Sequence, residues 1–365
     1  MVDYDFLIVG AGLSGSTLAE RLANNGKKVL VVEKRAHIAG NVFDCHDEHG
    51  ILIHKYGPHL FHTNSKEVFD YLSNFTEWMK YEHKVLAYIE GKQVPVPINR
   101  TTLNMLYGLD LKTDEEAAAH FEKVREKNIK VNNAEDAVVS KVGYDLHRKL
   151  FEGYTKKQWG TDPKNLSAEI TQRIPVRVNT DDRYFTDVYQ AIPKEGYTKM
   201  VEKMLSHPGI TVMLNTDYKT IADKVSYSHM IYTGPLDYYF DYKYGKLRYR
   251  SLSFEYKTHD AKLVQKVAQI NYPDVNVPYT RTFETKHVTG QQHGKTTVGY
   301  EFPQSEGEPY YPMLTTEDKA LFERYKADAT KQEKVSFVGR LADFKYYNMD
   351  QTVAAALQLY NRLPK

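Results

Sequence analysis

The chain has 365 residues, 49 lysines and arginines against 47 aspartates and glutamates, and a single cysteine, Cys45. That length calls for two or three domains, and the near-balanced charge argues against a dominant basic face for nucleic acid. The lone thiol excludes an intramolecular disulfide and fits a reducing compartment, no segment has the apolar length to cross a bilayer, and the N-terminus runs directly into a core-type segment rather than a signal peptide. A cytoplasmic protein without membrane insertion is expected. The chain also carries 29 tyrosines against 15 phenylalanines. Tyrosine joins a flat apolar face to a hydroxyl, which raises the expectation of a polar, ring-shaped ligand.

The first thirty-odd residues organise the rest. Asp5 to Val9 reads as a buried strand, because the apolar run is continuous and too short for a core helix. Gly10, Gly12 and Gly15 follow in G-x-G-x-x-G spacing, then Leu18 and Leu22 one helical turn apart, then a second apolar strand, Val29 to Val32, ending in Glu33. Gly10 permits the tight turn, Gly12 lets the backbone approach a pyrophosphate, and Gly15 allows close packing of helix on strand. The helix N-terminus offers free N–H groups to phosphate, and Glu33 stands where a carboxylate accepts from an adenosine ribose. FAD or NAD is favoured over NADP, whose extra phosphate the acid would repel.

Residues 34–64 are glycine-broken and rich in histidine, with His46, His49, His54, His59 and His62 beside Cys45 and Asp47. Their spacing is not that of a zinc module, so no metal is expected, and the segment reads as loop and short strand beneath the dinucleotide. Residues 66–82 look helical, and HKVLAYIEGKQVPVPI forms a hairpin turning at Glu90-Gly91. From Thr101 the texture becomes helical, with a capping signal at Thr113-x-x-Glu116, which implies a small helical domain at roughly 100–160. Residues 171–190 are too polar and broken for a core element. A helix at 197–206 and strands in GITVMLNTD and HMIYTGP return the chain to a discontinuous nucleotide domain. Residues 244–302 alternate like antiparallel strands with one wet face, and KVSFVGR, FKYYNMD and QTVAAALQLYNR close the chain as strand, loop and helix. That last helix can aim its N-terminus at a cofactor.

These residues resemble the bacterial UDP-galactopyranose mutases, which are FAD proteins. The likeness runs nearly end to end, through GAGLSG, EKRAHIAGN, YGPHLFHTN, HKVLAYIEGK, GYTKKQWG, RIPVR, YRSLSFE, RTFE, YPM and VGRLADFKYYNMD. The glycine triplet is common to many flavoproteins; GYTKKQWG, RIPVR and GRLADFKYY are specific to this family. The resemblance implies an α/β fold in which a discontinuous Rossmann-like FAD-binding domain (1–75, 191–236 and 326–365) is joined by a sheet hairpin (76–98) and a helical domain with a mobile lid (99–165). An interdomain segment (166–190) and an antiparallel sheet domain for the substrate (237–325) complete it.

It also implies an isomerase that interconverts UDP-α-D-galactopyranose and UDP-α-D-galactofuranose through a covalent adduct at N5 of reduced FAD, with no net redox change. An external reductant such as NAD(P)H and a homodimer come with the family. Two rival readings share the nucleotide-binding part: an FAD oxidoreductase of amine-oxidase-like architecture, and a non-catalytic flavoprotein that binds nucleotide sugars.

By the same resemblance Arg173 and Arg281 match two diphosphate arginines, Tyr154 a tyrosine that stacks on uracil, and Trp159 a tryptophan on the lid. Phe151, Tyr184, Arg250, Tyr311, Tyr346 and His83 complete the substrate side, and His62 and Arg340 stand near the flavin. Gly10, Ala11, Gly12, Leu13, Ser14, Gly15, Glu33, Lys34, Arg35, Gly40, Asn41, His59, Leu60, Arg340, Met349 and Asp350 are the implied cofactor contacts. Asn348 departs from the pattern, because many members have an aspartate there. It keeps hydrogen-bonding capacity for a sugar hydroxyl and loses a negative charge. Asp343 is a second local difference.

Overall fold

The structure, a computed structural model, describes residues 3–172 and 175–363. Its nucleotide-binding part is a parallel sheet of five strands in the order Ile210–Met213, Val29–Val32, Asp3–Val9, Ser226–Tyr232 and Val335–Phe337. Both faces are covered, which is why the strands read as apolar runs rather than alternating ones. Phe6, Ile8, Val29, Val31 and Ile231 face a core built with the helices Leu13–Asn24, Tyr197–Met204 and Met349–Arg362. Their neighbours in sequence, Leu7, Leu30, Val32, Met230 and Tyr232, point the other way and pack with Tyr218. Strand-to-helix packing is close at Gly15, where a Cβ would stand 1.9 Å from the Gly10 carbonyl oxygen.

A second, seven-stranded sheet runs Tyr311–Pro312, Tyr249–His259, Thr296–Gln304, Arg281–Glu284, Gln269–Asn271, Val85–Ile89 and Lys92–Val96. It is antiparallel except where Gln269–Asn271 pairs in parallel with Val85–Ala87. The hairpin at 85–96 is therefore part of the same sheet as the strands beyond residue 244, turning at Glu90 and Gly91, both with positive φ. Helices Arg100–Tyr107, Asp114–Val124, Ala134–Leu146 and Gly153–Trp159 pack over this hairpin, with Leu103, Phe121, Val138 and Leu146 against Val85, Val94 and Ile98. Thr113 and Glu116 form the expected reciprocal cap, each side chain accepting the other's backbone N–H. A π-helical turn, His147–Glu152, leads into Gly153–Trp159.

Four expectations need correction. The helix expected over 66–82 ends at Ser73, and Trp78–Lys80 is a strand paired with Tyr189–Pro193 beside Phe61–Thr63. Asn74 stops the helix by donating its side-chain amide to the Asp70 and Tyr71 carbonyls, and the Trp78 ring stacks on Phe61 and Phe69. The sheet hairpin thus does not begin at 76, and the polar stretch 171–190 ends in the start of a strand. A division at 325/326 would cut the helix Thr316–Ala329, capped by Thr315 and packed through Leu321, Phe322 and Tyr325. Its sequence carries so many charges that its narrow apolar stripe is hard to see.

Candidate active site

At the glycine turn, Gly10 has φ of +103° and a Cβ there would meet the Thr233 hydroxyl at 2.2 Å, so only glycine fits. The helix Leu13–Asn24 starts at Gly12 with no side-chain cap and no acid in its first turn. Its N–H groups are left to whatever approaches. Gly40 lies against Gly12, with a Cβ on Gly40 falling 3.0 Å from the Gly12 Cα. Glu33 is buried and accepts from the backbone N–H groups of Ala11 at 2.9 Å and Arg35 at 3.0 Å. Arg35 donates to Asn41 Oδ1 at 2.9 Å, and Lys34 pairs with Glu308 at 2.9 Å. The fingerprint residues thus form one cradle with a carboxylate held at its end.

Further along that edge, His59 donates its backbone N–H to His54 Nδ1 at 3.1 Å, and its carbonyl accepts from the Tyr197 hydroxyl. Burial first, then His54, Arg340 and Arg281, hold the His59 imidazole neutral, with its pKa brought down to about 3. The Arg340 guanidinium donates to the Tyr347 carbonyl at 3.1 Å and lies 5.8 Å from the centre of the Tyr311 ring. Gly339, with φ of +109°, brings the chain so near Ser14 that a Cβ would stand 2.9 Å from its hydroxyl. Asp343 fixes this turn by accepting from the Gly339 N–H at 3.0 Å.

Beside this edge is a cavity of about 120 Å³ lined by aromatic, polar and aliphatic side chains from several segments. Phe151, Tyr154 and Trp159 come from the helical region, Tyr184 from the connecting segment, and Asn271 and Arg281 from the sheet, with Tyr311 and Tyr346 on the far wall. Tyr311 and Tyr346 stack with centroids 5.0 Å apart and planes 13° from parallel, and Trp159 leans on both. Arg281 is gripped by the fully buried Glu301, whose Oε2 accepts from Nε at 2.8 Å and Nη2 at 2.6 Å. Burial works against the Arg281 charge, and the Glu301 carboxylate outweighs it. Burial also pushes the Tyr154 and Tyr311 hydroxyls up, so both stay protonated donors at neutral pH. The cavity therefore offers stacking faces, hydroxyl donors and one fixed guanidinium, the groups that suit an anion joined to rings.

A sequence model described as UDP-galactopyranose mutase matches residues 149–346, and one for an NAD(P)-binding Rossmann-like domain matches residues 8–75. A probable UDP-galactopyranose mutase of Klebsiella pneumoniae is 37% identical over 98% of this chain and 94% of its own. The chain belongs to the UDP-galactopyranose mutase family. A dTDP-fucopyranose mutase of Escherichia coli is also similar, 34% identical over 96% of both chains. Among solved structures, a reduced UDP-galactopyranose mutase superposes with a TM-score of 0.79 at 16% identity, over 99% of this chain and 94% of the other. A putrescine oxidase does so at 0.62 and 12%, over 99% of each, so the fold is shared with that oxidase.

Within this mutase-family chain, Phe151, Tyr154, Trp159, Tyr184, Arg281, Tyr311 and Tyr346 all line one cavity. Arg173 lies outside the described residues. Arg250 is not a lining residue: it is buried behind the helix Gly153–Trp159 and donates to the carbonyls of Gln158 at 2.8 Å and Lys157 at 3.2 Å. Gly160 makes room for it, since a Cβ there would stand 2.8 Å from its Nη1. Asn348 is likewise outside the lining. It is the N-cap of Met349–Arg362, its N–H donating to Gln351 Oε1 and its carbonyl accepting from Thr352. His62 stacks on Phe185 and shares a 2.9 Å hydrogen bond with Asp187, and buried His83 sits behind Tyr184. Leu60 packs toward Ile192, Ala268 and Val288, and Asp350 accepts from the Thr63 hydroxyl at 2.9 Å.

Two residues that sequence reasoning passed over belong here. Glu301 holds Arg281; the signal was an acid in the middle of an alternating strand on the face of the arginine. Gln158 lines the cavity with its Oε1 buried and without a partner among the described residues. Its place in GYTKKQWG, one residue before Trp159, was the available clue.

Proposed function

We propose that this protein interconverts UDP-α-D-galactopyranose and UDP-α-D-galactofuranose with reduced FAD bound and no net redox change. The single observation that carries the reading is the cavity in which Tyr154, Trp159, Arg281, Tyr311 and Tyr346 converge at the end of the cradle where His59 and Arg340 lie. The residues fit FAD. The uncapped helix start at Gly12 and the Gly12–Gly40 approach suit its pyrophosphate, and Glu33, held by two backbone N–H groups, suits its ribose. When bound and reduced, FAD supplies through N5 the nucleophile that takes the anomeric carbon from UDP.

The chain's own residues have the complementary work. Arg281, kept cationic and fixed by Glu301, stabilises charge on the departing diphosphate. Tyr154 offers its face to uracil, and Tyr311 and Tyr346 confine the sugar while their hydroxyls donate to phosphate. UDP must stay close while the sugar is detached, and the aromatic wall keeps it there. Burial holds the His59 imidazole neutral, and in this reading it serves by shape and backbone. NAD(P)H as external reductant, a cytoplasmic location and a homodimer belong to the same reading.

The dTDP-fucopyranose mutase relative supports a second substrate pair for the same chemistry. Incubating the reduced protein with UDP-galactofuranose and dTDP-fucofuranose separately, and separating the pyranose products by chromatography, decides between them. Conversion of the uridine substrate at least tenfold faster supports the proposal; the reverse preference assigns the chain to the thymidine sugar.

A further inference from the structure

The helix Gly153–Trp159 presents two different faces. Tyr154, Gln158 and Trp159 look into the cavity, whereas Gly153 and Lys157, one helical turn apart, look onto the loop between the strands Gln269–Asn271 and Arg281–Glu284. At Gly153 the approach is so tight that a Cβ would fall 2.1 Å from the Pro273 carbonyl oxygen. At Lys157 the ammonium sits inside the loop and shares its three N–H donors among four carbonyls, those of Tyr272 at 2.6 Å, Asp274 at 2.8 Å, Val277 at 2.9 Å and Tyr279 at 2.8 Å. The loop is wound around this point, its ends joined by the Tyr272 N–H donating to the Thr280 carbonyl at 2.9 Å. Within the loop the Asp274 carbonyl also accepts from the Val277 N–H at 3.2 Å; the gathered inward carbonyls repel one another, and the ammonium offsets that repulsion. Asn271 immediately before the loop and Arg281 immediately after it are both cavity residues.

We propose that Lys157 is a positioning residue that locks the aromatic wall of the cavity to the strand carrying Arg281, so that the helix Gly153–Trp159 and residues 272–279 move as one body when nucleotide enters or leaves. The ammonium touches neither the cavity nor the cradle, and it acts by fixing the distance between the faces that stack on the base and the guanidinium that meets the diphosphate. A neutral side chain of the same length cannot replace it, and neither can a guanidinium, whose planar fork cannot point donors at acceptors arranged around a point. The inference rests on the proposed binding of a uridine diphosphate in this cavity.

The test uses the FAD-loaded protein and UDP as the probe. In K157M the dissociation constant for UDP is expected to rise at least tenfold, with kcat at saturating substrate within threefold and the flavin content unchanged. In K157C, treatment with bromoethylamine rebuilds an ammonium at nearly the same reach and is expected to recover most of that loss, with wild-type protein treated in parallel to account for Cys45. A K157M affinity within twofold of wild type, loss of flavin along with affinity, or failure of the rebuilt ammonium to recover binding would each overturn the proposal. Should K157M not fold, hydrogen exchange on the wild-type protein takes its place: amides of 153–159 and 272–279 are expected to slow together on adding UDP, and protection of one segment alone overturns the coupling. If wild-type protein does not bind UDP, it is the functional reading that fails.

Discussion

The pair formed by Arg281 and Glu301 permits a quantitative test of how this site is held together. Glu301 is fully buried, and its two oxygens divide the work, Oε2 taking both guanidinium N–H groups and Oε1 the Thr280 hydroxyl at 3.1 Å. Replacing it with leucine leaves the guanidinium without its counter-charge, a change that costs about 3–5 kcal/mol for a buried pair. Arg281 keeps 18% of its side chain exposed, so water recovers part of that and the lower end, about 3 kcal/mol, is expected. Taking roughly 2 °C for each kcal/mol, the melting midpoint of E301L falls by about 6 °C. Removing both charges at once leaves nothing unpaired, so R281M/E301L regains at least about 2 kcal/mol of that loss. E301Q keeps an acceptor for the arginine and loses only the charge, and its kcat/KM falls about tenfold, near 1.4 kcal/mol. Midpoints measured by flavin fluorescence and circular dichroism on the singles and the double complete the cycle. A double variant that loses as much as the two singles added together would mean that the partners do not act as a pair, and the account of how Arg281 is positioned would be wrong.

Other consequences follow from the same geometry. R281A is expected to retain FAD and lose turnover, read by flavin absorbance and product chromatography; loss of the flavin would mean that the arginine serves the cofactor. Gln158 Oε1 is a buried acceptor without a donor among the described residues, so Q158L should raise the melting midpoint slightly and weaken UDP binding by about 1–3 kcal/mol, opposite signs that calorimetry and thermal melts can separate. His83 is buried with its pKa lowered to about 3, burial acting first and Arg281 second. Because the folded value lies below the ordinary value near 6.5, the unfolded chain takes the proton first. This contribution is complete above about pH 6.5 and declines by about 1.4 kcal/mol per unit as the pH falls toward 3. Denaturant midpoints between pH 7 and 4 that fall equally in H83Q would show that the acid lability lies elsewhere.

Much of the fold was legible because its signals are local. The strand, glycine turn, helix and acid at the N-terminus each have a physical requirement that few residues meet, and Glu33 lies where that grammar put it. The reciprocal cap at Thr113 and Glu116 and the hairpin at Glu90-Gly91 were read for the same reason. The misread elements were those decided by partners far away in sequence. Trp78 to Lys80 has the composition of a helix end and becomes a strand because Tyr189–Pro193 and the rings of Phe61 and Phe69 receive it. Thr316–Ala329 hid its stripe among charges.

The site followed the same division. Aromatics and Arg281 could be assigned by their motifs, and they meet in one cavity. Arg250 and Asn348 sit in equally recognisable motifs and turn out to secure helix ends, a distinction visible only when the carbonyls they face are known. Glu301 offered only the faint signal of an acid within an alternating strand, and Lys157 offered none, because a lysine on a helix is ordinary until its partners are in place.

The central claim is that the flavin acts as a participant and returns unchanged. Purified protein incubated with UDP-galactofuranose, with and without a measured amount of dithionite, tests it directly when UDP-galactopyranose and residual reductant are followed together. The account predicts product only in the reduced sample, in many-fold excess over the electrons supplied, with no further reductant consumed. Consumption of reductant in proportion to product, or equal conversion by the oxidised protein, would contradict it.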